Sequence, residues 1–296
     1  MRTRRAWYAR AVLAVSALVL VLMPAPAQAA FDWRGDDYNW DGFSDLLTIY
    51  EDDSGLAGCM TFWAANGTGN FYYRRPVTCG FSPNLTDRTA AAGDLNNDGV
   101  GDIVAISYGD TCLYVKWGIN DGIFTNIKRI GCGWDPYTQL LGPGDINSDG
   151  NEDLMAVHIN GCLYKWLGNG AGGFAPVQAI GCGWESYYAD NLATPGDLNR
   201  DGHPDLVTID TRNNCMMRWY GDGRGSFGDG VLIGCGWERF LYNMVGLQDA
   251  NGDGNGDLIA RDSAGYVHAW YGMGNGGFWA SVQLSGILLD DRKLIG

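Results

Sequence analysis

The sequence predicts an all-β fold, a β-propeller of five four-stranded antiparallel blades. Two observations predict it. The pattern Asp-x-Asn-x-Asp-Gly-x-x-Asp occurs five times, beginning at Asp37, Asp94, Asp145, Asp197 and Asp249, at steps of 57, 51, 52 and 52 residues. Eight cysteines fall into four pairs, each spanning 20 positions and each at the same place in its unit. Self-similarity at a period near 50 marks supersecondary units that bury their apolar faces only against one another.

The third unit shows how each element is read. Tyr137 to Leu141 is a short leading strand, and Gly142-Pro143-Gly144 delivers it to the Asp-rich loop. Leu154 to Ile159 is apolar at nearly every position, the pattern of a strand buried on both faces. Asn160-Gly161 is a strong two-residue hairpin signal. Cys162 to Leu167 is the third strand and carries Trp166; the glycine-rich run 168–173 turns the chain, and Phe174 to Ile180 returns antiparallel. Four short strands of this kind pack radially as a blade. The tryptophan recurs as Trp63, Trp117, Trp166, Trp219 and Trp270, and the phenylalanine as Phe71, Phe124, Phe174, Phe227 and Phe278. Both are read as packing between blades. Gly168-x-Gly170-x-x-Gly173 matches a dinucleotide fingerprint by letter, but it leads into a strand and is set aside.

Within each loop, oxygen donors at positions 1, 3, 5 and 9 and the carbonyl at position 7 can wrap one hard cation; Ca2+ takes about six to eight oxygens. The candidate metal ligands are Asp37, Asn39, Asp41, Phe43 and Asp45; Asp94, Asn96, Asp98, Val100 and Asp102; Asp145, Asn147, Asp149, Asn151 and Asp153; Asp197, Asn199, Asp201, His203 and Asp205; and Asp249, Asn251, Asp253, Asn255 and Asp257. Position 7 varies freely if only its backbone binds. The glycine at position 6 frees the backbone for a sharp turn. At position 12, where an EF-hand has Glu, stand Thr48, Ala105, Ala156, Thr208 and Ala260, followed by apolar residues. The loop is therefore expected between strands, with about five Ca2+ per chain. Asx turns without metal are the competing reading.

These residues resemble the FG-GAP/VCBS repeat proteins, which include integrin α-subunit propeller blades and secreted propeller lectins. The resemblance runs over nearly the whole chain after residue 29. It implies a propeller with calcium in the loops joining the first two strands of each blade. Integrin propellers have seven blades; five copies here depart from that number.

Residues 1–29 read as an export signal: Arg2, Arg4, Arg5 and Arg10, then an apolar run from Ala11 to Met23, then Ala27-Gln28-Ala29 as a cleavage site. Residues 30–296 then form a single propeller domain, secreted, with no stable membrane insertion once the signal is removed. The net charge is −14, and −18 without the four leader arginines. No basic cluster is present to neutralise phosphates, which argues against nucleic acid as a partner.

The repeat selects one cysteine connectivity, a bridge within each unit: Cys59–Cys79, Cys112–Cys132, Cys162–Cys182 and Cys215–Cys235. In the chain-entropy model each such loop gains about 3 kcal/mol, and export permits oxidation. Cys-x-x-Cys spacing, which zinc would favour, is absent from the sequence. The fifth unit has Tyr266 and Gly286 at the matching positions and lacks a bridge. The tail 287–296 has the length to supply a strand to the first unit, which has little leading strand of its own, and so to close the ring.

After the second cysteine comes Gly-Trp-acid, with Trp134 and Asp135, Trp184 and Glu185, Trp237 and Glu238. An aromatic face beside a carboxylate suits a sugar, so these six are candidate ligand-binding residues. Covering the disulfides or wedging between blades is the competing role for the tryptophans. The favoured function is a non-enzymatic, lectin-like module that binds glycans. An adhesion or assembly module for an extracellular protein, and a secreted hydrolase, are the alternatives. No catalytic residue is assigned: three histidines are present, His158 and His268 in strands and His203 in a loop, and no Gly-x-Ser-x-Gly occurs.

Overall fold

The computed structural model describes residues 36–50, 58–81, 88–107, 109–120, 122–184, 191–240, 244–288 and 292–295. The export signal lies outside them.

Among the described residues, twenty strands form five four-stranded antiparallel sheets. The second blade holds β4 (Thr89–Gly93), β5 (Asp102–Ile106), β6 (Cys112–Asn120) and β7 (Ile123–Cys132). The third holds β8 (Tyr137–Gly144), β9 (Asp153–His158), β10 (Cys162–Trp166) and β11 (Gln178–Cys182). The fourth holds β12 (Leu192–Gly196), β13 (Asp205–Asp210), β14 (Cys215–Trp219) and β15 (Val231–Cys235), and the fifth β16 (Met244–Leu247), β17 (Asp257–Arg261), β18 (Tyr266–Trp270) and β19 (Val282–Leu288). The first blade takes β1 (Leu46–Tyr50), β2 (Gly58–Ala65) and β3 (Phe71–Phe81) from the start of the chain and β20 (Arg292–Ile295) from its end. Leu47 pairs with Ile295 and Thr48 with Leu294, so the tail closes the ring as its length suggests.

Each inner strand packs against the inner strands of both neighbours, β20 against β16 and β4 included. Five apolar clusters fill the five junctions. Val104, Val115, Leu154 and Trp166 lie between the second and third blades; Met155, Leu163, Leu206 and Trp184 lie between the third and fourth. Strands buried on both faces therefore carry near-continuous apolar runs such as residues 154–157 of β9; β13 is buried throughout as well, with Thr208 inside its run. The turn phenylalanines all join these clusters.

The cysteines stand opposite one another in register, Cys112 with Cys132, Cys162 with Cys182 and Cys215 with Cys235, and each pair is bridged. Cys59 is also disulfide-bonded and stands opposite Cys79. In the fifth blade a register shift places Leu288, not Gly286, opposite Tyr266.

One recurrent tryptophan is displaced. Trp63, Trp166, Trp219 and Trp270 stand opposite Leu46, Leu154, Leu206 and Leu258. In the second blade Lys116 holds that position, opposite Ile103. Trp117 lies one residue further from its cysteine than its counterparts do, and strand side chains alternate faces, so it turns the other way. It packs toward the third blade, under the Lys128 ammonium 5.7 Å from its ring centroid.

Candidate metal centres and an interblade cleft

The five loops share one backbone. Position 4 is left-handed in Trp40, Asn97, Ser148 and Arg200 (φ 58° to 64°) and in Gly252 (φ 77°); position 6 is a glycine with φ of 79° to 90°. A Cβ at Gly42, Gly99, Gly150 or Gly254 would meet nothing within 4 Å, so dihedral freedom, not space, selects glycine there. Sequence reading missed position 4, because its residue types share no signal.

Asx turns hold the loop shut. In all five copies the position 1 carboxylate accepts the position 6 amide, at 2.6 to 2.9 Å. The position 3 amide oxygen accepts the position 5 N–H, and the position 5 carboxylate accepts the position 7 N–H. Four of the asparagines also donate Nδ2 to the position 5 carboxylate.

Position 9 has a second role. Its two oxygens accept two amides, one from loop position 2 and one from the end of the third strand. The pairs are Tyr38 and Ala65 on Asp45, Leu95 and Gly118 on Asp102, Ile146 and Gly168 on Asp153, Leu198 and Gly221 on Asp205, and Ala250 and Gly272 on Asp257, all at 2.8 to 3.0 Å. The position 2 carbonyl then accepts a glycine amide from the next blade: Gly122 on Tyr38, Gly172 on Leu95, Gly225 on Ile146 and Gly276 on Leu198, at 2.6 to 3.1 Å. Position 7 is also more than a carbonyl. The Asn151, His203 and Asn255 side chains touch Asn97, Ser148 and Arg200, the position 4 residues of the preceding loop.

Burial, set against these hydrogen bonds, raises the position 9 carboxyls to about 8 in Asp45, Asp102 and Asp257 and about 7 in Asp153 and Asp205, with the loop's own position 1 and 5 charges adding. Each loop therefore gathers three acids and no base among its ligand positions, except that His203 stands at position 7 of the fourth. The donor set suits a hard cation: carboxylate, carboxamide and carbonyl oxygens, with carboxylate lone pairs beyond those the amides occupy. Among the described residues no group of three or more His, Cys, Asp or Glu is already convergent as a cage.

The Gly-Trp segments take the packing role that the sequence also allows. Gly133, Gly183 and Gly236 have φ of 91° to 101°, and the glycine and tryptophan amides share one carbonyl, that of Thr111, Gly161 or Asn214. This turns the indole inward. Trp134 lies 4.5 Å from Trp166, Trp184 5.0 Å from Trp219 and Trp237 4.9 Å from Trp270, ring centroid to centroid. Trp134 and Trp184 are 6% and 8% exposed. These rings pack in the clusters between blades. Asp135 is exposed and lies 3.6 Å from Arg88; Glu238 is exposed; Glu185 lies outside the described residues.

A cleft of about 300 Å³ opens beside one such wedge, between the third and fourth blades. Trp184, Trp219 and Phe227 line it with the strand end Ile180–Gly183 and Gly228.

Fold and loops together define a five-bladed repeat propeller with an Asp-rich corner in every blade. The model of the FG-GAP-like repeat matches residues 37–105, 94–156 and 145–208, and the chain belongs to that family. No curated protein matches the chain. Among solved structures, one of an Agrocybe aegerita lectin recognising non-reducing terminal N-acetylglucosamine is 19% identical, with 81% of this chain and 67% of that chain covered and a TM-score of 0.46. The BP39L lectin from Burkholderia pseudomallei is 12% identical over 81% and 84%, with a TM-score of 0.49, and AofleA from Arthrobotrys oligospora 9% over 87% and 72%, with a TM-score of 0.48. The blade count rests on the strand pairing of this chain itself.

Proposed function

We propose that the protein is a secreted, non-enzymatic module that binds glycans in clefts between its blades and holds calcium in its five loops. The observation that carries the glycan reading is the cleft at Trp184, Trp219 and Phe227. Aromatic edges and ring carbons give a sugar its apolar contact, while the backbone of Ile180–Gly183 offers polar groups for hydroxyls. The volume suits one or two rings. The acids Asp135 and Glu238 stand on the same segment of other blades and can accept hydroxyl hydrogen bonds.

For calcium, the ligands of the third loop would be Asp145, Asn147, Asp149, the Asn151 carbonyl and Asp153, with equivalent sets in the other four. The ion would neutralise three clustered carboxylates and tie the corner of each blade. The family and the oxygen-only donor set support this reading. Secretion is supported by the leader-like residues 1–29 and by the disulfides, which persist in oxidising compartments. No helix among the described residues is long and apolar enough to cross a membrane.

The test is a glycan array on residues 30–296 with calcium and with chelator, beside Gly181→Trp. A Cβ at Gly181 meets nothing within 4 Å, so this change fills the cleft without opposing the backbone. Binding by the wild type and its loss in a folded Gly181→Trp protein is the expected outcome. Silence on the array, or binding that Gly181→Trp leaves intact, contradicts the assignment to this cleft.

A further inference from the structure

The residue just before each Asp-rich loop is Asp36, Gly93, Gly144, Gly196 or Gln248, one per blade. Gly93, Gly144 and Gly196 end inner strands, Gln248 follows one, and Asp36, whose carbonyl accepts the Asp45 amide at 2.8 Å, is the equivalent position of the first blade. Three are glycines with φ of 67°, 85° and 87°. They leave space that other blades fill. Glu152, from the third blade, lies with its Cδ 2.7 Å from where a Cβ at Gly93 would be, in the second. Glu152 Oε2 and Gln248 Nε2, from the third and fifth blades, both lie 3.6 Å from the corresponding point at Gly144. Gln248 also lies over Gly196 of the fourth blade, its Cα 3.3 Å from that point.

Two acceptors here have no partner among the described residues. Gln248 is 8% exposed and its Oε1 accepts no hydrogen bond; Glu152 Oε2 is solvent-inaccessible and also accepts none. A buried acceptor left unpaired is unfavourable, and an unpaired buried carboxylate more so. Asp36, 7% exposed, adds a second carboxylate. The four charges that act most on Glu152 are all acidic, Asp36 first, then Asp153, Asp145 and Asp94.

We propose that the propeller axis holds one hard divalent cation, of the calcium or manganese class, bound by the Asp36 and Glu152 carboxylates and the Gln248 carboxamide oxygen. Two carboxylates balance a divalent charge, and all three donors are oxygens, as such ions prefer. The site is separate from the five loops and draws on blades one, three and five, so the ion fastens the ring at its centre. The glycines at 93, 144 and 196 make room for the Glu152 and Gln248 side chains that would hold it.

The test is anomalous diffraction at the manganese edge from crystals of the whole exported chain soaked in Mn2+. A peak on the axis among Asp36, Glu152 and Gln248 is expected. It disappears in Glu152→Gln and in Gln248→Leu while peaks in the loops remain. An empty axis in wild-type crystals overturns the proposal, as does an axial peak that survives Glu152→Gln. If neither variant folds, the wild-type map decides alone. Loop peaks without an axial peak refute this site only; an axial peak with empty loops refutes the loop reading only.

Discussion

Asp153 joins Ile146 to Gly168, accepting the first amide at 3.0 Å on one carboxylate oxygen and the second at 2.8 Å on the other. One side chain thus fixes its loop to its own third strand. The Ile146 carbonyl takes the amide of Gly225 in the following blade at 2.7 Å, so the same corner also sets the neighbour. The pattern of one acid and two amides occurs in every blade.

Removing that acid leaves both amides buried without an acceptor. Each such loss costs about 1–3 kcal/mol. Asp153→Ala is expected to destabilise by about 2–6 kcal/mol and Asp153→Asn, which keeps one acceptor oxygen, by less. Urea unfolding in excess chelator measures this free of any metal contribution; equal stability of Asp153→Ala and wild type would show the bridge to be incidental.

Protonation supplies a second check. The position 9 carboxyls are raised to about 7 or 8 by burial first, then by neighbouring charge. The folded state therefore holds these protons more tightly than the unfolded chain does. That contribution is complete below about pH 4, the unfolded value, and is lost as pH rises through 7 and 8. Protein stripped of divalent ions should melt at a higher temperature at pH 5 than at pH 9 by scanning calorimetry. With calcium the order should reverse, because the ion requires the deprotonated carboxylates. The same pH order with and without calcium would contradict the coupling.

Trp184 packs 5.0 Å from Trp219 and is 8% exposed, so its loss opens a cavity between two blades. Trp184→Ala is expected to cost about 3–5 kcal/mol. A Trp184→Ala variant of wild-type stability by urea unfolding would contradict this packing role.

Much of this fold is legible in the sequence because each repeat carries the same signals. The equal cysteine spacing corresponds to directly opposed strand positions, and the short start of the first unit anticipates a strand from the tail. What escapes is whatever depends on counting through an irregularity. One extra residue before Trp117 turns it to the other face and puts Lys116 in its place. A register shift in the fifth blade brings Leu288 opposite Tyr266. The Gly-Trp-acid segment looks like a sugar platform, yet the left-handed glycine before each tryptophan directs the ring inward. The Asp-rich loop reads as a set of ligands; its position 9 acid also bonds the backbone, a use that no spacing reveals.

Ring closure makes a further prediction. β20 lays Leu294 and Ile295, 1% and 2% exposed, into the first blade beside β1. Deleting residues 292–296 exposes the β1 edge and detaches the fifth blade's end from the first. The melting temperature of the whole ring should fall in one transition; an unchanged value would mean that the strand closes nothing.

The most direct test of the calcium-locked ring is calorimetric titration of the purified, chelator-stripped chain with Ca2+. At least five ions per chain, one fewer in Asp145→Asn, and a rise in melting temperature as the sites fill are the expected result. No calcium bound, with a melting temperature indifferent to chelator, would contradict it.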